Sequence, residues 1–285
     1  MAGETPGSPR FQGRARYGSF TYPQDGAQGG VVLDGGVLSL STIGRIPLRL
    51  HRPLEGTPKT GTISREADGW YASIACAEVP TQPLPLTGRE TGIDVGLTGF
   101  LITADGEAAA NPRHYRKAEK QLAKAQQRVS RRKKGSKRRK QAVALCAKQH
   151  QHVRRQRTDF QHKTALALLR TYDTLDREDL RVANLVRNRH LAKSISDAGW
   201  AAFRAILAGK AAYAGRRVVA VPPAFTSQDC RGCGERMPKR LSVRTHICTS
   251  CGRIVARDEH ATSTRRETSN GPDRPFGESR GCLRR

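Results

Sequence analysis

The sequence predicts an α/β core that carries a strongly basic helical insertion and a cysteine-bound module. Three observations lead there: short apolar strands alternating with amphipathic helices after residue 90, a helix-forming stretch crowded with Lys and Arg, and two matched Cys-x-x-Cys pairs. A chain of 285 residues is long enough for one or two domains with a sizeable core.

Residues 1–30 are rich in Gly, Pro and Gln, and "STRRETSNGPDRPFGESRGCLRR" (263–285) reads the same way, so both ends are expected to be disordered. Period-two alternation in "IGRIPLRLHRPL" and "KTGTISREADGWYASIACAEV", around an "ADG" turn, predicts a small antiparallel β module within 31–80. "PTQPLPLTGRE" follows, with Pro at 80, 83 and 85, and reads as a linker at a domain boundary.

The α/β core is expected to begin with "GIDVGLTGFLITADG" (92–106), which reads as two strands joined by a Gly-containing turn. Its one carboxylate before the closing turn, Asp94, stands in the middle of an apolar run. From 113 to 170 the chain is helix-forming and nearly free of Gly and Pro, and the "KKGSK" break near 135 lets two helices fold back as a hairpin. "ALLRTYDTLDREDL" leads from helix into a strand ending at Glu178, although "DTLDRE" puts Asp176 and Arg177 where a central strand buries side chains. "SDAGWAAFRAILAGKAAYAG" is amphipathic, with Trp200, Phe203 and Leu207 on one face and Gly215 as its C-terminal stop, and "RRVVAVPPAF" supplies another short strand.

Charge narrows the function class. Lys and Arg number 51 against 25 Asp and Glu, a formal charge of +26 with a pI near 10.7. Residues 113–157 hold 18 of the cations and one acid, Glu119, which leaves +9 for the rest of the chain. A basic patch concentrated on one helical hairpin is the footprint of a polyanion binder, with nucleic acid the expected partner and an acidic membrane surface or a merely solvated face the alternatives. The candidate phosphate contacts are Arg131, Arg132, Lys133, Lys134, Lys137, Arg138, Arg139 and Lys140 around its turn. No apolar run of about 18 residues exists to cross a membrane, and the N-terminus lacks the apolar core of a signal peptide, so a cytoplasmic, nucleoid-associated protein is expected.

Seven cysteines without an export signal argue against a disulfide framework. "CRGC" and "CTSC" form C-x2-C-x14-C-x2-C with Cys230, Cys233, Cys248 and Cys251, a spacing that lets two knuckles meet on a tetrahedral Zn2+. Four thiolates leave no open coordination position, so the predicted zinc is structural. His246 is read as a surface residue of the ribbon and not as a ligand.

Asp94, Glu178 and Asp258 are weak signals one at a time. Together they lie on a first core strand, at the end of a later strand, and just after the cysteine module. Three such carboxylates either converge on Mg2+ ions that drive phosphodiester hydrolysis or are scattered surface acids.

The stretches "GIDVGLTGFLITADG", "HYRKAEKQLAKAQQRVSRRKKGSKRRK", "RTDFQHK", "EDLRVANLVRNRHLAKSISDAGWAAF", "VPPAFTSQDCRGCG" and "CGRIVARDEHAT" together resemble the TnpB/OrfB proteins of bacterial insertion sequences, transposase-associated RNA-guided DNA nucleases related to type V CRISPR effectors. The resemblance implies an RNase H-like (RuvC-type) core over 90–262, interrupted by the basic helical hairpin (113–170) and a zinc ribbon (224–256). A partial, wedge-like β-barrel module over 31–80 precedes it. It also implies Asp94, Glu178 and Asp258 as a catalytic triad on Mg2+, with DNA and a guide RNA as partners. Two departures stand out. The family's further N-terminal region is not present, so a truncated member is expected. Its last motif, Asp-x-Asn-Ala-Ala, here reads Asp258, Glu259, His260, Ala261, Thr262. The expected function is an RNA-guided, divalent-metal-dependent DNA endonuclease acting in transposition; the alternative is a decayed, non-catalytic nucleic-acid-binding remnant.

Overall fold

The computed structural model describes residues 18–23, 31–41, 43–222, 228–230, 233–238 and 245–256. The chain divides into two compact units, one of residues 1–80 with 128–151 and one of 81–127 with 152–285.

The first unit is built on two three-stranded antiparallel sheets. One pairs β1 (Ser19–Pro23) with β5 (Thr57–Arg65) and β5 with β6 (Trp70–Ala77); the other runs in order through β2 (Val31–Asp34), β3 (Val37–Leu40) and β4 (Gly44–Pro47). Alternation along β3 buries Leu38 and Leu40, which meet Ile63 of β5 in a small core flanked by Tyr22, Ile46, Ala72 and Ile74. Strand β1 corrects the expectation of disorder through residue 30. "SFTYP" is too short to stand out by composition, but Phe20 lies opposite Ile63, and the β5 edge supplies its backbone partners.

This unit also contains the tip of the helical hairpin, formed by the end of α1 (His114–Ser130) and the start of α2 (Lys137–Thr171). Ser136 caps α2, its Oγ accepting the Arg139 amide at 3.2 Å. Gln151 is buried and donates from Nε2 to Glu66 at 2.9 Å and Asp68 at 2.7 Å in the β5–β6 turn.

The second unit holds a five-stranded sheet made of β7 (Glu90–Val95), β8 (Gly99–Thr103), β9 (Ala108–Ala110), β10 (Thr174–Glu178) and β11 (Arg217–Val221), in the order β11-β10-β7-β8-β9. The first three in chain order form an antiparallel meander, while β10 and β11 join parallel on the other side of β7. Around the sheet lie the bases of α1 and α2, the short α3 (Val182–Leu185), α4 (Ala192–Ala198) and α5 (Trp200–Tyr213).

Phe100 of β8 anchors the core. Its ring meets Phe160 and Phe203 edge-on, with centroids 4.9 and 5.0 Å away. Spacing of three and four along α2 brings Ala165, Leu168, Leu169 and the following Tyr172 into the same core, and α5 contributes Trp200, Phe203, Leu207 and Ala211.

The single helix expected across 196–215 is two. Gly199 sits at φ +70° between α4 and α5, and a Cβ there would lie 2.7 Å from Gln161 Nε2 and 2.8 Å from Arg157 Nη2. Those groups donate to carbonyls at the junction of α4 and α5: Arg157 to Ser196 at 2.6 Å, Gln161 to Ala198 and Gly199 at 3.1 Å each.

The Pro-rich segment that reads as a linker is docked on this unit. The amides of Gln82 and Leu84 donate to Tyr213 and Ala214 carbonyls, and Asp173 accepts from the amides of Thr87 and Gly88. Arg216, buried, pairs with Asp173 at 2.9 Å and donates to the carbonyls of Leu169 and Pro85.

Candidate catalytic and metal sites

Parallel pairing of β10 with β7 places Asp176 beside Gly92 and Arg177 beside Ile93, so the next step of the register brings Glu178 level with Asp94. Both carboxylates are half-buried and line one cleft, together with Ile93, Val95, Arg177, Leu180, Phe203, Arg204 and Leu207. Residues 84 positions apart in sequence are thus neighbours at the ends of two central strands. Asp258 lies outside the described residues.

Gly96 ends the first strand tightly. Its amide donates to Phe100 at 3.1 Å, and a Cβ on it would come within 3.0 Å of the Gly99 carbonyl, so the turn after Asp94 closes without displacing β8.

Strand β10 is central, with β7 on one side and β11 on the other, and Asp176 is 1% exposed. An edge position, which would leave its polar side chains in water, is therefore ruled out for this strand. The neighbour on β7 is a glycine, which presents no side chain beside the acid. Arg177 is handled differently. Its guanidinium donates to the Glu178 carbonyl at 3.1 Å and lies 3.6 Å from Asp179. Burial, with the Arg204 charge next, pulls its pKa down, while Asp179 opposes both. Arg204 of α5 reaches Asp179 at 2.7 Å and the Leu180 carbonyl. Two guanidinium groups are therefore fixed at the rim of the acidic cleft by one carboxylate. Sequence reasoning did not single out Arg204; the available signal was a lone cation between Phe203 and Leu207 on the apolar face of α5.

Cys230, Cys233, Cys248 and Cys251 meet, all four sulfurs lying within 4.8 Å of one another. The Cys230–Cys251 and Cys233–Cys248 separations are 3.6 and 3.5 Å. A tetrahedron with metal–sulfur bonds of about 2.3 Å has edges of roughly 3.8 Å, so the set fits a four-thiolate ion. Two similar turns build it: the Gly234 amide donates to Cys230 and the Gly252 amide to Cys248, each closing a knuckle. Backbone N–H groups, that of Cys251 first, favour the Cys248 thiolate and lower its pKa to about 6. The second pair lies in the turn that joins β12 (Thr245–Ile247) to β13 (Ile254–Ala256). His246 is not the surface residue expected: it is fully buried on β12, opposite Val255.

At the hairpin tip, Arg131, Arg132, Lys133, Lys134, Lys137, Arg138 and Lys140 are exposed. Arg139 is the exception. Its Nη1 donates to the carbonyls of Val129 and Arg132 at 2.9 and 3.3 Å, closing the C-terminal end of α1, so it serves the fold of the tip. Among the described residues no helix is long and apolar enough to cross a membrane.

Residues 73–189 match the family model OrfB_IS605, described as "Probable transposase", and residues 200–263 match "Cas12f1-like, TNB domain". A protein of Streptomyces pristinaespiralis named "Putative RNA-guided DNA endonuclease" is 41% identical over 221 residues, which cover 76% of this chain and 54% of that protein. One of Escherichia coli K12, "Putative RNA-guided DNA endonuclease InsQ", is 30% identical over 258 residues, covering 84% and 63%. The chain thus spans about half the length of the first relative and under two thirds of the second. A chain of "Cryo-EM structure of the Cas12f1-sgRNA-target DNA complex" aligns with a TM-score of 0.46 at 14% identity, over 72% of this chain and 55% of that one. With two family models matched in chain order and both relatives carrying the same kind of name, the chain belongs to the TnpB/OrfB family of insertion-sequence proteins.

Proposed function

We propose that this protein is an RNA-guided, divalent-metal-dependent DNA endonuclease of the TnpB type, acting in transposition, with Asp94, Glu178 and Asp258 as its catalytic carboxylates. The observation that carries the reading is the register of β10 on β7, which sets Glu178 level with Asp94 in one cleft. An antiparallel meander extended by two parallel strands supports the RNase H-like (RuvC-type) assignment of this unit. The names of the two relatives support DNA and guide RNA as partners.

Hard carboxylate oxygens on adjacent strands suit Mg2+, which supplies an activated water and stabilisation of the leaving 3′ oxygen. The chain's own residues do the rest. The two strands hold the acids side by side, and a bound cation offsets the repulsion between them. Asp179 keeps Arg177 and Arg204 at the rim, where they attract the phosphodiester towards the acids. The exposed cations of the hairpin tip neutralise backbone phosphates without reading sequence. The four cysteines hold structural Zn2+, leaving no position for a reacting water.

The test is cleavage of target DNA by the purified protein with Mg2+ and RNA transcribed from its own locus. Activity in the parent and none in Asp94→Ala, at equal nucleic-acid affinity, is the expected result. Binding without cleavage by the parent chain would assign it to non-catalytic binding instead.

A further inference from the structure

A second cavity lies in the same unit as the acidic cleft. It encloses about 380 Å³ and is lined by Leu97, Thr98, Asn111, Arg113, Arg116, Ser194 and Asp197. We propose that it holds a backbone phosphate of the nucleic-acid strand delivered to Asp94 and Glu178. The inference rests on the nuclease reading above for its purpose, and on the cavity's own chemistry for its ligand.

Donors dominate the lining. Arg113 and Arg116 bring two guanidinium groups and Thr98 and Ser194 bring hydroxyls, while the Asn111 amide donates to the Leu97 carbonyl at 3.1 Å. The one carboxylate, Asp197, already accepts from the backbone amides of Tyr115 at 2.9 Å and Arg116 at 3.1 Å. The amides at the start of α1 are therefore occupied, and the attraction for an anion comes from the two side chains. Arg116 Nη2 donates to Ser194 Oγ at 3.1 Å, and its Nη1 lies 3.8 Å from Glu119, a carboxylate shared with Lys193. Arg113 is held at φ +51°, with its amide on Asn111 Oδ1 at 3.1 Å and Nη2 only 3.5 Å from the Leu97 carbonyl. Few side chains other than glycine occupy that backbone region, and here the turn sets Arg113 on the cavity wall.

Position gives the site its use. Leu97 and Thr98 form the turn at the open end of β7, the end at which Asp94 and Glu178 stand. Leu97 lies three positions after Asp94, at most about 10 Å along the chain. Because Arg113 Nη2 lies 3.5 Å from the Leu97 carbonyl, a strand whose phosphate is gripped there is held within a few nucleotides of the acids, with no base read.

The experiment uses the full chain carrying Asp94→Asn, so that binding is measured without cleavage. Affinity for a single-stranded DNA oligonucleotide is followed by fluorescence anisotropy between about 50 and 200 mM salt. Arg113→Asn suits the left-handed backbone, and adding Arg116→Gln keeps a donor for Ser194. The double variant should flatten the log Kobs against log salt slope by about 0.7 for each phosphate it no longer neutralises. Arg113 and Arg116 should also be shielded from an arginine-selective reagent by the oligonucleotide, and not by an uncharged methylphosphonate analogue, as read by mass spectrometry. An unchanged slope, or equal modification with and without DNA, overturns the proposal. Failure of the parent to cleave any DNA would sink the nuclease reading alone, because slope and shielding are read without cleavage.

Discussion

The cysteine cluster and the acidic cleft are both places where the chain gathers ligands, and they are built in opposite ways. Each cysteine knuckle is local: two residues between sulfurs and one amide closing the turn, with the second pair in the turn of the β12–β13 hairpin. The acids come from strands 84 positions apart and meet only because β10 adds parallel to β7 in one register. A one-residue slip would turn Glu178 to the other face of the sheet. The cysteine cluster therefore depends on its local turns, whereas the acidic site depends on the whole core behind it.

The sharpest way to break this comparison is to strip ligands from each. Cys248→Ser should reduce bound zinc, read by plasma mass spectrometry, from one ion per chain to none. It should also abolish hydrogen-exchange protection around β12 and β13, since such ions contribute about 10–16 kcal/mol to the modules they fold. Protection in β7 and β10 should be unchanged. Asp94→Ala should do the reverse, leaving exchange intact and lowering the DNA cleavage rate by about a thousandfold or more, the scale of several kcal/mol of transition-state stabilisation.

The core behind the acids can be tested next. Phe100 is 1% exposed between two rings, and Phe100→Ala should destabilise the α/β unit by about 3–5 kcal/mol, read from urea midpoints. Zinc content should not change. Smaller is Gly199→Ala, which forces a side chain into the left-handed region and against the ends of Arg157 and Gln161, at about 1–2 kcal/mol.

Local chemistry is what sequence reading recovers. The cysteine spacing, the apolar runs of β7, β8 and β11, and the Trp200, Phe203, Leu207 face all announce themselves over a few residues. Features set by distant partners do not. Strand β9 is "AAA", helix-forming by propensity and a strand only because β8 offers its edge. Arg139 looks like one more phosphate ligand until α1 and α2 fold back and its guanidinium finds the α1 carbonyls. Asp176 reads as an objection to a central strand, because the glycine beside it on β7 lies 84 residues earlier in the chain. The acids themselves are legible as residues, and their convergence is one of two readings until the family resemblance is added, since register is a property of the sheet.

Asp173 offers the mildest test, and it bears on how the core holds the Pro-rich segment. The Thr87 amide is the largest influence on this carboxylate and burial the next, opposing it; the Gly88 amide, the Thr87 hydroxyl and the Arg216 charge then hold its pKa below the usual range. At neutral pH the group is ionised folded and unfolded, so its contribution is fully present. Below about pH 4 the unfolded chain takes up the proton first. Stability then falls with pH until the folded carboxylate is itself protonated. Asp173→Asn removes the group that titrates and weakens the clamp. The variant should have a lower urea midpoint than the parent at pH 7, and the gap should narrow between pH 4 and pH 2. A gap that stays constant over that interval would mean that Thr87, Gly88 and Arg216 do not hold the charge, and that the segment is docked by Leu84 and the backbone bonds to α5 alone.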